Sequence, residues 1–241
     1  HDRLAALAAN TDLGAGMAIA MRDLEIRGAG NLLGDEQSGH IADVGFDLYL
    51  RLVGDAVAEY RGEATSEDVA EMRIELPVDA NLPVDYVESE RLRLEMYQRL
   101  AEVRTEDDIA AVRAELEDRF GPVPEQAEIL LQVARFRLLC RSVGLTEVVS
   151  QGGAIRFAPV NERKLPDGEV VELPESRELR LNRLYPGTIL KRTANLMLVP
   201  RPKGTGVPIE PVDDTELLAW ATRLVGDIFV PTLSPTKATE E

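Results

Sequence analysis

The sequence predicts an α+β fold, in which an N-terminal helical hairpin, a loop and a helix precede a mixed domain. Apolar residues recur every three or four positions in several stretches before Gly144, as one face of an α-helix requires. Beyond Gly144 the apolar spacing changes to every second residue, which is typical of strands. We therefore expect the mixed domain to contain a three-helix segment, a small antiparallel sheet and a C-terminal helix.

The N-terminal part predicts two short helices that form a hairpin. Apolar stripes in residues 4–8 and 17–24 have helical spacing, and a glycine-containing turn separates them. The second stripe ends at Gly28, where a C-terminal cap is expected. Residues 28–45 hold five glycines but are too apolar for a disordered linker, so we expect an ordered loop. A further helix is expected over about residues 46–60.

Polar residues 63–72 predict a linker between two parts of the chain. We expect residues 1–62 to form one module, residues 73–230 a second domain, and residues 231–241 a frayed tail. The chain opens at His1 with neither an initiating methionine nor a signal-peptide pattern. We therefore expect it to be the C-terminal part of a longer protein.

The second domain is expected to begin with a strand over residues 73–78 and to continue with three helices. The first helix covers about residues 88–104. Thr105 and Asp108 have the spacing of a capping box at the start of the second helix, and Gly144 follows the third as its cap. Helical spacing predicts these inward residues: Leu92, Met96, Leu100 and Val103, then Ile109, Val112, Leu116 and Phe120, then Ala127, Leu130, Leu131, Ala134 and Leu138.

The sheet is expected after Gly144, with turns that contain glycine between its strands. The expected strands are 146–149, 154–158, 178–182, 187–191 and 195–199, and the expected turns are Gly152-Gly153, Pro166-Asp167-Gly168 and Pro186-Gly187. A last amphipathic helix is expected over about 214–229, with Asp213 or Asp214 as its N-cap. Its predicted inward residues are Leu217, Ala221, Leu224 and Ile228.

Charge and composition exclude several classes of protein. The net charge of −16 argues against a general nucleic-acid-binding surface, because phosphate contacts need clustered lysine and arginine. Residues 63–130 carry 7 basic and 19 acidic groups, a net charge of −12 that would attract a basic protein surface. The sequence contains no run of 18 apolar residues, so it predicts no membrane-spanning helix. Cys140 is expected to be a buried thiol, and a single cysteine fits a reducing cytoplasm.

Sequence motifs give no sign of catalysis by this chain. Two histidines and one cysteine cannot assemble a usual zinc site. Residues 28–34 have the spacing G-x-G-x-x-x-G after a charged helix, which does not fit a dinucleotide-binding turn. The chain also lacks the phosphate-binding motif G-x-x-x-x-G-K-[ST]. The acidic pairs at 107–108 and 213–214 fall at helix starts, where carboxylates cap backbone N–H groups. We therefore expect no cofactor and no catalysis in this chain alone.

The most specific motif is residues 21–49, MRDLEIRGAGNLLGDEQSGHIADVGFDLY. This stretch resembles the translocation motif that transcription-repair coupling factors share with the RecG branch-migration helicases. Its signature, R-D-L-E-I-R-G-x-G-x-L-L-G-x-x-Q-x-G, is long and mixed in residue type, and its continuation is similar to the coupling-factor branch. The pieces Leu76-Pro77, Tyr86-Val87, Arg91-Leu92-Arg93 and E-L-E-D-R-F-G at 115–121 resemble that family's C-terminal domain.

The resemblance implies a role in an ATP-driven translocase on double-stranded DNA. Such a protein displaces RNA polymerase stalled at a lesion and recruits UvrA, the nucleotide excision repair component. Its motor would use ATP and magnesium and would precede His1. The resemblance also implies that the acidic C-terminal domain covers the UvrA-binding surface of a UvrB-like module in the same protein and restrains the motor.

The resemblance assigns roles to individual residues. Arg27 matches the family's essential arginine, Arg22 fills the preceding basic position, and Gln37 matches a glutamine in the loop. The glycines of that loop would allow it to approach the duplex backbone closely: Gly28, Gly30 and Gly34. Glu115 matches the glutamate through which the C-terminal domain holds the UvrB-like module.

Two other functions stay open from the sequence. A RecG-type fork-remodelling helicase shares the motif of residues 21–49, but we expect such proteins to end soon after it. A stand-alone protein-interaction module would fit residues 73–230 but would leave the motif without a role.

Overall fold

The computed structural model describes residues 72–204 and 212–230. The chain divides into two compact units, one ending at Leu138 and the other beginning at Leu139. The predicted α+β class is confirmed, because five helices and two sheets are present in the described residues. The predicted hairpin, loop and helix of residues 1–62 and the predicted tail lie outside the described residues.

The described part of the first unit, from residue 72 on, is mainly helical. Strand β1 (Arg73–Glu75) is followed by helices α1 (Glu90–Glu102) and α2 (Glu106–Phe120) and by the greater part of α3 (Glu125–Ser142). The loop before α1 is fixed by Tyr86, whose hydroxyl donates to backbone carbonyls near the end of α2 at 3.0 Å each. The ring of Tyr86 also meets the ring of Phe120 edge-on, with centroids 6.0 Å apart.

The predicted capping box at the start of α2 is confirmed. The amide of Asp108 donates to Thr105 Oγ1 at 3.2 Å, and the amide of Thr105 donates to Asp108 Oδ2 at 2.9 Å. The amide of Arg104 donates to the same carboxylate oxygen at 2.9 Å. These hydrogen bonds, that of Arg104 first, lower the pKa of Asp108 below its usual value. The sequence therefore sets where α2 begins.

Most predicted inward residues of the three helices are buried. The buried predicted residues are Met96, Leu100, Val103, Ile109, Val112, Leu116, Ala127, Leu130, Leu131 and Ala134. Leu92, Phe120 and Leu138 are only half-buried. Leu92 and Phe120 lie in the first turn of α1 and the last turn of α2, where a helix has fewer neighbours to cover it.

The second unit is built on an antiparallel sheet. Its strands are β2 (Glu147–Gln151), β3 (Ala154–Ala158), β6 (Ile189–Lys191) and β7 (Leu196–Pro200), and they lie in the order β2-β3-β7-β6. The register places Phe157 opposite both Val148 and Met197, and all three side chains are buried. The predicted Gly152-Gly153 turn joins β2 to β3, with φ of 60° at Gly152.

A second, two-stranded sheet pairs β4 (Arg163–Lys164) with β5 (Val170–Val171). The predicted turn at Pro166-Asp167-Gly168 lies between these strands, with φ of 89° at Gly168. The strands themselves were not predicted, because two residues each are too short to show a period.

The predicted strand at 178–182 was wrong, because these residues lie in helix α4 (Glu175–Leu184). Leu179 and Leu181 alternate with polar residues, but only Leu181 is buried, and Leu179 is 67% exposed. The segment is rich in glutamate, arginine and leucine, which favour helices, and Glu175 and Glu178 stabilise its first turn. Two leucines at alternate positions do not distinguish the period of a strand from that of a helix.

The predicted C-terminal helix is confirmed as α5 (Asp214–Phe229). Asp213 is its N-cap and accepts a hydrogen bond from the amide of Glu216 at 2.7 Å. The predicted inward residues are all buried: Leu217, Ala221, Leu224 and Ile228. Helix α5 packs against α4 within the second unit.

Candidate functional site

Helix α2 holds the one predicted site residue that the structure describes, Glu115. The helix buries Ile109, Val112 and Leu116 on one side. Glu115 precedes Leu116, so its carboxylate lies at the margin of the buried stripe, with 22% of its side chain exposed. Side chains one helical turn away can therefore contact the carboxylate of Glu115, which is only partly surrounded by water.

Two arginines hold the carboxylate of Glu115. One oxygen accepts a hydrogen bond from Arg119, one turn later on α2, at 2.6 Å. The other oxygen pairs with Arg99 of the neighbouring helix α1. The guanidinium of Arg119 also lies over the ring of Phe120, 5.2 Å from its centroid. Glu115 therefore joins α1 to α2, and each of its oxygens already pairs with an arginine.

A second carboxylate faces the same two arginines at a longer distance. Glu95 Oε1 of α1 lies 3.9 Å from Arg99 and 3.7 Å from Arg119. These distances allow electrostatic attraction but exceed those of a hydrogen bond. We call Glu95, Arg99, Glu115 and Arg119 the Glu115 cluster. Its two positive and two negative charges cancel at neutral pH.

A separate ion-pair network joins α2 to α3. Arg113 pairs with Glu117 at 2.9 Å and with Glu128 at 2.7 Å. The hydrogen bond and charge of Glu128, followed by those of Glu117, raise the pKa of Arg113. Arg135 of α3 similarly pairs with Glu106 at 3.0 Å. Such partly exposed pairs contribute little to stability, so they orient charges more than they stabilise the helices.

Unit 1 has more acidic groups than its arginines can neutralise. Its described residues, 72–138, carry 15 acidic and 9 basic side chains, a net charge of −6. Six exposed carboxylates make no ion pair with another described residue: Asp85, Glu88, Glu102, Asp107, Asp118 and Glu125. A surface of this kind attracts basic partners, and salt weakens the attraction.

In unit 2, hydrogen bonds and an ion pair hold the C-terminal helix α5 in place. Arg177 donates to the backbone carbonyls of Asp227 and Val230, while Arg180 pairs with the Asp227 carboxylate at 2.6 Å. The hydroxyl of Tyr185 donates to the same carboxylate at 3.2 Å. Burial first, and then the charge of Asp227, raises the pKa of Tyr185 to about 12. These contacts fix α5 against α4.

The described residues contain no group of three or more metal-binding side chains that could hold an ion. Across the same part of the chain, every helix is too short or too polar to cross a membrane.

Comparison with known proteins shows the family. The TRCF domain family matches residues 76–168, a range that contains Glu115 and its cluster. The transcription-repair-coupling factor of Mycobacterium bovis is 47% identical over 236 residues, which is 93% of this chain. The chain belongs to the transcription-repair coupling factor family. The chain spans 18% of the length of that relative.

More distant family members match a shorter part of the chain. The transcription-repair-coupling factor of Escherichia coli is 41% identical over 165 residues, 66% of this chain and 14% of its own length. That of Staphylococcus haemolyticus is 43% identical over 159 residues, with the same coverage of both chains. A solved structure described as the C-terminal domain of transcription-repair coupling factor has a TM-score of 0.45 at 16% identity. It covers 62% of this chain and 90% of its own.

Six of the seven predicted site residues of this coupling-factor chain lie outside the described residues: Arg22, Arg27, Gly28, Gly30, Gly34 and Gln37. Their roles stay predictions. Glu115 lies on the surface of unit 1, but it is paired within its own unit rather than standing as an isolated acid.

Sequence reasoning did not predict the partners of Glu115. Glu95 and Arg99 are four residues apart, as are Glu115 and Arg119, and this spacing indicates ion pairs along each helix. The pairing of Arg99 with Glu115 joins two helices, and it depends on how α1 packs on α2. No local spacing carries that information.

Proposed function

We propose that this chain is the C-terminal regulatory part of an ATP-driven translocase on double-stranded DNA. The whole protein displaces RNA polymerase stalled at a lesion and recruits UvrA, so that it couples transcription to nucleotide excision repair in the cytoplasm. Support comes from the 47% identity that extends over 93% of the chain to a relative named transcription-repair-coupling factor. This coverage favours a coupling factor over a RecG-type helicase or a stand-alone interaction module.

The motor chemistry is assigned to other parts of the whole protein. The sequence lacks the glycine-rich phosphate-binding motif that ends in lysine and serine or threonine, so ATP and its magnesium do not fit this chain. Arg22, Arg27 and Gln37 are proposed to transmit motor movement to the DNA. This proposal rests on the motif of residues 21–49.

Within the whole protein, unit 1 is proposed to bind the UvrB-like module and thereby hide its UvrA-binding surface and restrain the motor. The observation that carries this proposal is the position of Glu115, at the surface of an acidic unit and inside the range matched by the TRCF domain. The six exposed carboxylates that make no ion pair with another described residue add a longer-range attraction for a basic surface.

An electrostatic contact of this kind suits a domain that must be released. Exposed charge pairs lose strength as ionic strength rises, because the screening length is about 8 Å under physiological salt. The charges on unit 1 therefore favour a reversible contact over a permanent apolar interface. Release of unit 1 would expose the UvrA-binding surface and free the motor together.

The binding role of Glu115 can be tested with the 241-residue chain and the UvrB-like module of the same protein. Glu115→Gln should weaken their affinity about tenfold, because one close charge pair at an interface contributes that much or more. The measurement is isothermal titration calorimetry at 50 and 300 mM salt, with circular dichroism to verify the fold.

Asp118→Asn is the matched control. Asp118 is exposed on the same helix, and the substitution removes the same charge without breaking an ion pair of the described residues. This variant should lose less than about twofold in affinity, the size of a general charge effect. Equal losses for the two variants would mean that Glu115 has no specific role.

A further inference from the structure

The geometry of the Glu115 cluster constrains how Glu115 can engage a partner. Both carboxylate oxygens of Glu115 are occupied by arginines of its own unit. A basic partner group that binds this carboxylate must compete with them, and it can replace one of them. The displaced guanidinium would then stand beside another positive charge, and like charges at close range oppose binding.

Glu95 lies where it can accept the displaced arginines. A single oxygen, Oε1, is 3.9 Å from Arg99 and 3.7 Å from Arg119, about 1 Å beyond the length of a charged hydrogen bond. Its side chain is 42% exposed, so it is free to move by that distance. Glu95 and Arg99 are also one turn apart on α1, a spacing that supports ion pairing in helices.

We propose that Glu95 is a positioning residue that takes over Arg99 and Arg119 when Glu115 turns to a basic partner. This carboxylate exchange rests on the proposed binding role of Glu115. In the free chain the two arginines hold Glu115. In the bound state they pair with Glu95, and the carboxylate of Glu115 accepts the partner's cation. Each positive charge then still faces a carboxylate, so exchange avoids leaving a guanidinium unpaired at the interface.

The exchange predicts that Glu95→Gln weakens binding although Glu115 is unchanged. In this variant the displaced arginines have no carboxylate to accept them, and affinity for the UvrB-like module should fall about fivefold, the upper range for an exposed ion pair. Glu102→Gln is the matched control, because Glu102 is exposed on the same helix and has no ion pair with another described residue. The affinity of Glu102→Gln for the UvrB-like module should fall by less than about twofold.

Three further measurements separate exchange from a general effect. Glu95→Asp keeps the carboxylate and should recover most of the affinity. The difference in affinity between Glu95→Gln and Glu102→Gln should be smaller at 300 mM than at 50 mM salt, because it arises from like-charge repulsion. The urea unfolding midpoint should be the same for both variants, which a merely structural role of Glu95 would not produce.

The outcomes distinguish the two proposals. If Glu115→Gln loses affinity while Glu95→Gln and Glu102→Gln behave alike, the exchange is wrong and the role of Glu115 stands. If Glu115→Gln itself behaves like Asp118→Asn, both proposals are overturned.

Discussion

At the scale of single residues, Glu115 carries its charge within a cluster of four side chains and is not an isolated carboxylate. The sequence indicated Glu115 as an acidic contact, and the structure shows it shared between Arg99 and Arg119. A partner must therefore compete with two arginines for this carboxylate. The charge of a residue is visible in the sequence, but its availability depends on the packing of α1 against α2.

A second charged residue, Arg163, is buried and has a structural role in unit 2. It is only 4% exposed, and its guanidinium donates to the carbonyls of Val143 at 2.5 Å and Val160 at 3.2 Å. It also lies over the ring of Phe229, 4.8 Å from the centroid. Burial lowers its pKa. These contacts link the end of α3, the start of β4 and the end of α5.

Arg163→Met should destabilise unit 2 by about 2 kcal/mol, because two buried carbonyls lose their donor while a desolvated charge is also removed. Urea unfolding of the 241-residue chain measures the change. Arg223→Met is the control, because Arg223 is exposed on α5, and its free energy of unfolding should change by less than about 0.5 kcal/mol. Similar values for both variants would contradict the structural role of Arg163.

At the scale of elements, the sequence predicted helices better than short strands. The capping box at Thr105 and the apolar stripe of α5 are local patterns, and both are confirmed. Helix α4 was mistaken for a strand because two alternating leucines resemble a period of two. Strands β4 and β5 exist through pairing with each other, which no local pattern reveals.

Two glycines that follow a helix or a strand, Gly144 and Gly152, differ in how closely other atoms pack around them. Gly144 follows α3 with φ of 73°, and a Cβ there would lie 2.8 Å from the carbonyl oxygen of Lys164. Gly152 in the β2–β3 turn has φ of 60°, but a Cβ there would meet nothing within 4 Å. Both positions are left-handed, and only Gly144 is also closely packed.

Gly144→Ala should therefore lower stability more than Gly152→Ala. Both variants incur the cost of a left-handed alanine, about 1–2 kcal/mol, and the clash at Gly144 should add about 1–3 kcal/mol. Chemical denaturation of the two variants measures the difference. Equal losses would show that the backbone near Lys164 moves aside without cost.

At the scale of the whole molecule, the proposed function is supported by the distribution of charge and by similarity to the family. The sequence located the acidic segment, and the structure shows that ion pairs neutralise part of its charge. Six exposed carboxylates are left without an ion pair to another described residue. The family was recognisable from the motif at residues 21–49 and from E-L-E-D-R-F-G at 115–121, and similarity over 93% of the chain confirms it. The partners of Glu115 were not recognisable, because they come from a tertiary contact.

If unit 1 restrains a motor through Glu115, the resting ATPase rate of the whole protein depends on that side chain. Glu115→Gln in that protein should raise the DNA-independent rate about fivefold or more, the usual size of a coupling between two sites, while Asp118→Asn leaves it near the wild-type value. A resting rate that is the same in Glu115→Gln and wild-type protein would contradict the account.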